Sequence, residues 1–137
     1  MAETIRKVSY SYATIADKPG EGVRVLRALK QAGINLLAVH AFPSARRSQI
    51  DLIALDGAAL AAAAKGAEIK LSKPKTAFLV DGDDRVGALA EVLAKLATAK
   101  LNVTAVTGVC AGMGRYGAIL WVKPGDVNKA TTALGAM

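Results

Sequence analysis

Val8, Tyr10, Tyr12 and Thr14 alternate with Ser9, Ser11 and Ala13, a period of two that predicts a β-strand over residues 8–15 with one large and one small face. Asp17-Lys18-Pro19-Gly20 breaks the alternation. Val25, Leu26, Leu29 and Ala32 then recur at helical spacing, with Glu21, Arg24, Arg27, Lys30 and Gln31 on the other side. This helix should start near Pro19 or Gly20, where first-turn amides lack intrahelical acceptors anyway, and stop at Gly33. Residues 34–42 and 49–55 read as two strands of a hairpin joined by a polar turn over 43–48. Gly57–Gly66 is an Ala/Leu run of high helix propensity, and 67–71 a closing strand, so the first half reads βαββαβ. The second half repeats the order: a strand over 76–80, a helix over 86–99 burying Leu89, Val92, Leu93 and Leu96, and strands over 101–109 and 116–123. Pro124 ends the last of these, and Asp126 is placed to cap a short helix through Leu134. No fourth strand pattern follows. The second half is therefore expected to lack its last strand and to leave a sheet edge for the first half or a partner to cover.

The two halves are copies. Asp17-Lys18-Pro19-Gly20 corresponds to Asp84-Arg85-Val86-Gly87, and Ala32-Gly33-Ile34-Asn35-Leu36 to Ala99-Lys100-Leu101-Asn102-Val103, at a constant offset of 67 residues. Without a gap the same offset carries Leu26 onto Leu93, Leu29 onto Leu96, Ala38-Val39 onto Ala105-Val106, and Leu52-Ile53 onto Ile119-Leu120. A period this long predicts two duplicated domains, 1–72 and 73–137, rather than a solenoid.

An acidic residue and a Pro-Gly or similar turn opening a helix, followed by a Gly-Ile-Asn type strand entrance, resembles the ACT domain. The first copy carries the pattern through Asp17, Pro19, Gly20, Gly33, Ile34 and Asn35, and the second through Asp84, Gly87, Leu101 and Asn102. Over nearly its whole length the chain is similar to small stand-alone proteins made of two ACT domains. The resemblance implies an α+β fold of two tandem ferredoxin-like βαββαβ units that pair side by side and bind an amino acid at their interface. It implies a site formed by the first strand-to-helix loop and the second strand's entrance: Asp17, Pro19, Gly20, Ile34 and Asn35 in one copy, Asp84, Val86, Gly87, Leu101 and Asn102 in the other.

The chemistry suits that ligand. Open N–H groups at a helix N-terminus attract a carboxylate, an acidic side chain receives an ammonium, and an Asn amide offers both a donor pair and an acceptor. The same residues have structural roles as well, since Asp caps helices and Asn ties turns to the backbone. Val86 and Lys100 replace the proline and glycine of the first copy, which predicts unequal sites with the first better pre-organised.

Composition narrows the alternatives. With 53% hydrophobic and 21% charged residues the chain is globular, and no charge-free apolar run reaches the roughly 18 residues of a membrane span. The formal charge of +7 attracts anions in general. Arg46, Arg47, Lys65, Lys70, Lys73 and Lys75 lack the exposed aromatics of an RNA-binding sheet, which argues for a solvated face and against nucleic acid. Cys110 and His40 are single residues of their types, too few for a disulfide or a Cys/His metal cluster, and neither sits in a catalytic pattern. Gly112-Met113-Gly114-Arg115-Tyr116-Gly117 matches G-x-G-x-x-G, but strand residues and Pro124 follow where a phosphate-binding helix is required, so it reads as a hairpin tip. No cofactor is expected. Residues 1–7 are charged and lack the apolar core of an export signal, so a cytoplasmic protein is expected.

The functional expectation is a non-enzymatic, amino-acid-binding regulatory protein. It would act allosterically on an unidentified protein partner, and would associate as a homodimer because two small units have limited cores. The second reading is an interaction or structural module that binds no ligand. A nucleic-acid-binding protein or a small enzyme on the same scaffold ranks below both.

Overall fold

The computed structural model describes residues 3–137; Met1 and Ala2, the start of the charged N-terminal stretch, lie outside it. In chain order the elements are β1 (Thr4–Ala16), α1 (Glu21–Gln31), β2 (Leu36–Ser44), β3 (Arg47–Ala54), α2 (Gly57–Gly66), β4 (Lys75–Asp83), α3 (Ala88–Thr98), β5 (Ala105–Gly112), β6 (Arg115–Trp121), a 3-10 turn (Pro124–Asp126) and α4 (Val127–Leu134). This is an α+β fold in which the order βαββα runs twice, the frame of two ferredoxin-like units, as the alternation of periods predicts. The chain divides into an inner unit, Ser9–Lys75, and an outer unit that joins the residues up to Val8 with Thr76–Met137. The division thus falls inside β1 and after Lys75, where the sequence suggests a single boundary after residue 72.

In the inner unit the strand order is β2-β3-β1, all antiparallel. Ser11 pairs with Leu52 and Ala13 with Ile50, so Ala13, Ile15, Ile50, Leu52 and Ala54 share the face that meets Val25 and Leu29 of α1 and Leu60 and Ala64 of α2. Leu26, expected in this core, is 37% exposed, because the buried stripe of α1 follows Val25 and Leu29. On the opposite face Asp51 is buried, which pushes its carboxyl up, and Gln49 donates to it at 2.9 Å. Residues 67–71 are not a ladder strand. Glu68 turns the chain at φ 59°, and hydrogen bonding to β1 is made at Ser72, whose amide donates to the Tyr12 carbonyl at 2.8 Å while its Oγ accepts from the Tyr12 amide at 2.9 Å. A hydroxyl here replaces the carbonyl that a strand would offer.

In the outer unit the order is β1-β4-β6-β5. The first residues of β1 lie beside β4, where the missing last strand of a βαββαβ unit belongs. Ile5 enters the core with Phe78, Val80, Val92, Leu96 and Leu120, and the Met137 backbone is tied to Ile5 and Lys7 by two hydrogen bonds of 3.0 Å. The edge that the sequence leaves open is thus covered by the chain's own N-terminal strand.

The ungapped offset of 67 fails at one place. Cys110 pairs with Tyr116 but Gly112 with Arg115, so Ala111 is bulged out of the β5–β6 ladder. Beyond it β3 maps onto β6 at an offset of 68, Leu52 onto Leu120 rather than Ile119; both leucines are fully buried in their cores. A one-residue slip exchanges the two faces of a strand, and the bulge restores the leucine to the core side.

Among the described residues all four α-helices end alike. The residue after the C-cap takes a left-handed conformation, or the C-cap itself does in α4, and two amides turn back onto the last carbonyls, as when Gly33 donates to Lys30 at 3.0 Å and Ile34 to Leu29 at 2.9 Å. Lys100, which stands where the first copy has Gly33, ends α3 in the same way. Lys100 adopts φ 60° and donates to Ala97 at 2.9 Å, and Leu101 donates to Leu96 at 2.9 Å, because burial of Leu96 on one side and Leu101 and Val103 on the other holds the turn in place. A non-glycine residue in this conformation carries strain. Lys100→Gly should therefore stabilise the protein by about 0.5–1 kcal/mol, the relieved strain less the added freedom of the unfolded chain. Denaturant midpoints at unchanged slope measure this, and a destabilised variant would refute the strain.

Candidate functional site

Each copy feeds a strand into a helix through a glycine in the left-handed region, Gly20 at φ 91° before α1 and Gly87 at φ 76° before α3, and neither helix has a side-chain cap. Asp17 and Asp84 therefore do not cap. At α3, Ala88 donates to the Arg85 carbonyl at 3.2 Å and Glu91 to Gly87 at 3.2 Å, which leaves the amides of Leu89 and Ala90 without a protein acceptor among the described residues. Two such amides at the positive end of a helix form a receptor for an anion.

The acidic groups around this helix entrance are apportioned unequally. Arg115 bridges Asp81 and Asp83, the latter at 2.7 Å. Arg85 binds Glu3 at 2.5 Å and Glu91 at 2.7 Å. Among the described residues no cation pairs with Asp84. Its backbone amide is tied to Gly114 at 2.9 Å, and its carboxylate accepts from the Cys110 thiol, which that hydrogen bond pushes up and keeps protonated. Arg85 in turn holds the Glu3 carboxyl below the usual range. Burial, then the Glu3 charge, pushes the Tyr116 phenol up, and its hydroxyl has no hydrogen bond of normal geometry. Room for this cluster comes from Gly82, where a Cβ would lie 3.0 Å from Glu3 and 3.1 Å from the Tyr116 ring.

These groups border a cleft of about 370 Å³, walled by Asp84 and Gly87 of the loop, the first turn of α3, Gly108–Cys110 of β5, and Tyr116. Gly108 permits the approach of α3, since a Cβ there would meet Leu89 at 3.1 Å. Of the residues expected in the second site, the structure brings Asp84 and Gly87 to this cleft. Val86 points fully into solvent, and Leu101 and Asn102 lie away from it, Asn102 exposed.

The first set is more dispersed. Asp17 is exposed and accepts from Ser48 at 3.3 Å, Pro19 is exposed, and Gly20 borders a shallow groove along Val23, Arg24 and Arg27. Ile34 and Asn35 line a separate cleft of about 520 Å³ with Leu26, Lys30 and Val39. Sequence reasoning missed Cys110, Tyr116 and Gly108 as site residues. Cys110 and Tyr116 become neighbours only through the β5–β6 register, which the bulge at Ala111 sets. The glycine-rich hexapeptide is the tip of that hairpin, with Met113 and Gly114 both left-handed.

Among the described residues no cluster of His, Cys, Asp and Glu has the arrangement of a metal site, and no helix is long and apolar enough to cross a membrane. No protein-family model matches the sequence, and no curated protein matches it. Solved structures do match the fold. A protein from Bacteroides thetaiotaomicron superposes with a TM-score of 0.82 at 18% identity, over 96% of this chain and 88% of that one. The regulatory subunit of aspartate kinase from Thermus thermophilus, in its ligand-free form, gives 0.64 at 17% identity over 98% and 95% of the two chains. The corresponding subunit from Thermus flavus gives 0.59 at 16%, again over 98% and 95%. At such identities the likeness establishes an ACT-like fold, and a fold alone does not assign chemistry.

The Glu3–Arg85 pair has a pH signature. A carboxyl held low in the folded state adds stability that is complete above its unfolded pKa and lost as the pH falls through its folded pKa. Glu3→Gln should melt below the parent protein at pH 7, and the gap should close once the pH is below the folded Glu3 value. Equal melting temperatures at pH 7 would show that the pair contributes nothing.

Proposed function

We propose that this chain is a non-enzymatic regulatory protein that binds a free amino acid at the entrance of α3. The observation that carries this reading is the pairing of opposite polar groups in one cleft: among the described residues the amides of Leu89 and Ala90 have no acceptor and the Asp84 carboxylate no cation. A zwitterion satisfies both, its carboxylate on the helix amides and its ammonium on Asp84, with its side chain toward Gly108, Val109 and Tyr116. The naming of two fold neighbours as regulatory subunits of aspartate kinase supports a regulatory role.

A ligand that bridges the 84–87 loop and β5 favours whichever arrangement of these elements it fits, and so shifts how the β5 edge meets a partner protein. The inner unit is the weaker site on this reading. Gly22 and Val23 have similarly open amides, but Asp17 is held by Ser48 and borders neither cleft. The order expected from Pro19 and Gly33 is thereby reversed.

Calorimetry against the full set of common amino acids should find one or a few that bind without chemical change. Asp84→Asn should weaken binding by about 1.5–3 kcal/mol, the value of a hydrogen bond to a charged group, while Asp17→Asn has a smaller effect. No binding at millimolar concentration would favour the interaction-module reading, and turnover would restore an enzyme.

We infer further that the protein is a homodimer. β5 is an edge strand with Val106 and Val109 exposed and Met113 exposed at the hairpin tip beyond it, and such an edge invites pairing with a second copy. Sedimentation should give a dimer that Val109→Lys shifts toward monomer; a parent protein that stays monomeric at all concentrations would exclude it.

A further inference from the structure

β1 of the inner unit and β4 of the outer unit hold the same place in the two copies, and the offset of 67 carries Ser11 onto Phe78 and Ala13 onto Val80. Phe78 is fully buried in the core that also contains Ala130 and Leu134 of α4. In the inner unit a serine stands there, and a cavity of about 300 Å³ remains between β1, α2 and residues 69–74. That volume lies at the lower end of ligand pockets, roughly 300–1,000 Å³.

The walls specify what fits. Leu60, Ile69 and Leu71 form an apolar side, while Gly57 and Ala64 keep α2 clear of the space. Ser11 is only 7% exposed, and its hydroxyl, which no protein group among the described residues engages, opens onto this space, where it can bond to a ligand. Lys65 is the charged side chain that lines the cavity, and no carboxylate does. An ammonium therefore has no counter-charge here, in contrast to the cleft at α3.

We propose that this cavity binds a small organic monocarboxylate whose apolar body is about the size of a phenyl ring. Lys65 receives the carboxylate, the Ser11 hydroxyl completes its hydrogen bonding, and the apolar body occupies the position that the Phe78 ring fills in the other copy. The site is independent of the amino-acid cleft.

Titration of the whole protein with phenylacetate, followed by amide NMR and calorimetry, tests this. Saturable shifts are expected in residues 9–11, 57–65 and 69–74, and none there with phenethylamine. Lys65→Gln should weaken phenylacetate at least about tenfold. Ser11→Phe should abolish binding and raise the melting temperature by filling the space. Should that variant fail to fold, Ser11→Ala serves: it should keep the parent's stability, because the hydroxyl makes no protein hydrogen bond, yet bind several-fold more weakly. The proposal is overturned by absence of saturable binding at millimolar phenylacetate, by an equal response to the amine, by shifts confined to residues 84–90, or by unchanged affinity in Lys65→Gln.

Discussion

The outer unit depends on the placement of residues 3–8 beside β4. Ile5 supplies core that 76–137 lack, the Met137 backbone ties down both Ile5 and Lys7, and Glu3 carries its carboxylate to Arg85 with only 5% of its side chain left exposed. A carboxylate so shielded from water is tolerable only with a partner in hydrogen-bonding geometry. Arg85 is that partner, and it sits in the loop that opens α3. The strand that closes the sheet therefore also sets the entrance of the helix on which the proposed amino-acid site rests.

Charge around that entrance is distributed so that recognition is left to one group. Arginines absorb Asp81, Asp83, Glu3 and Glu91, and among the described residues Asp84 meets a thiol, which cannot neutralise a carboxylate. Had Arg115 reached Asp84, the cleft would present no unmatched negative charge. The choice follows from strand alternation: Asp81 and Asp83 share one side of β4, where Arg115 at the start of β6 pairs directly with Asp83.

The two copies show how one backbone plan diverges through single side chains. Left-handed turns end α1 at Gly33 and α3 at Lys100 with the same hydrogen bonds, because packing on either side of the turn outweighs a conformational cost of order 1–2 kcal/mol. The Ser11/Phe78 difference acts in the opposite way. The backbone is conserved between copies while the space beneath it is filled in one and open in the other.

The sequence by itself determined what is local or repeated. Its two copies, the helix faces at Val25 and Leu29 and at Val92 and Leu96, the helix Gly57–Gly66 and the hairpin tip at Met113-Gly114 all follow from periodicity and turn chemistry within short windows. The ACT-like fold was legible for the same reason, since the Asp-loop-helix-Asn signature lies in those windows. Only tertiary structure decided that residues 3–8 complete the second copy, that Ala111 bulges and shifts β6 by one residue, and that, among the described residues, Asp84 rather than Asp81 or Asp83 has no arginine partner. Each of these is a choice among partners distant in the chain, and residues of the same type, three aspartates or two alternating strands, look alike until burial and register separate them.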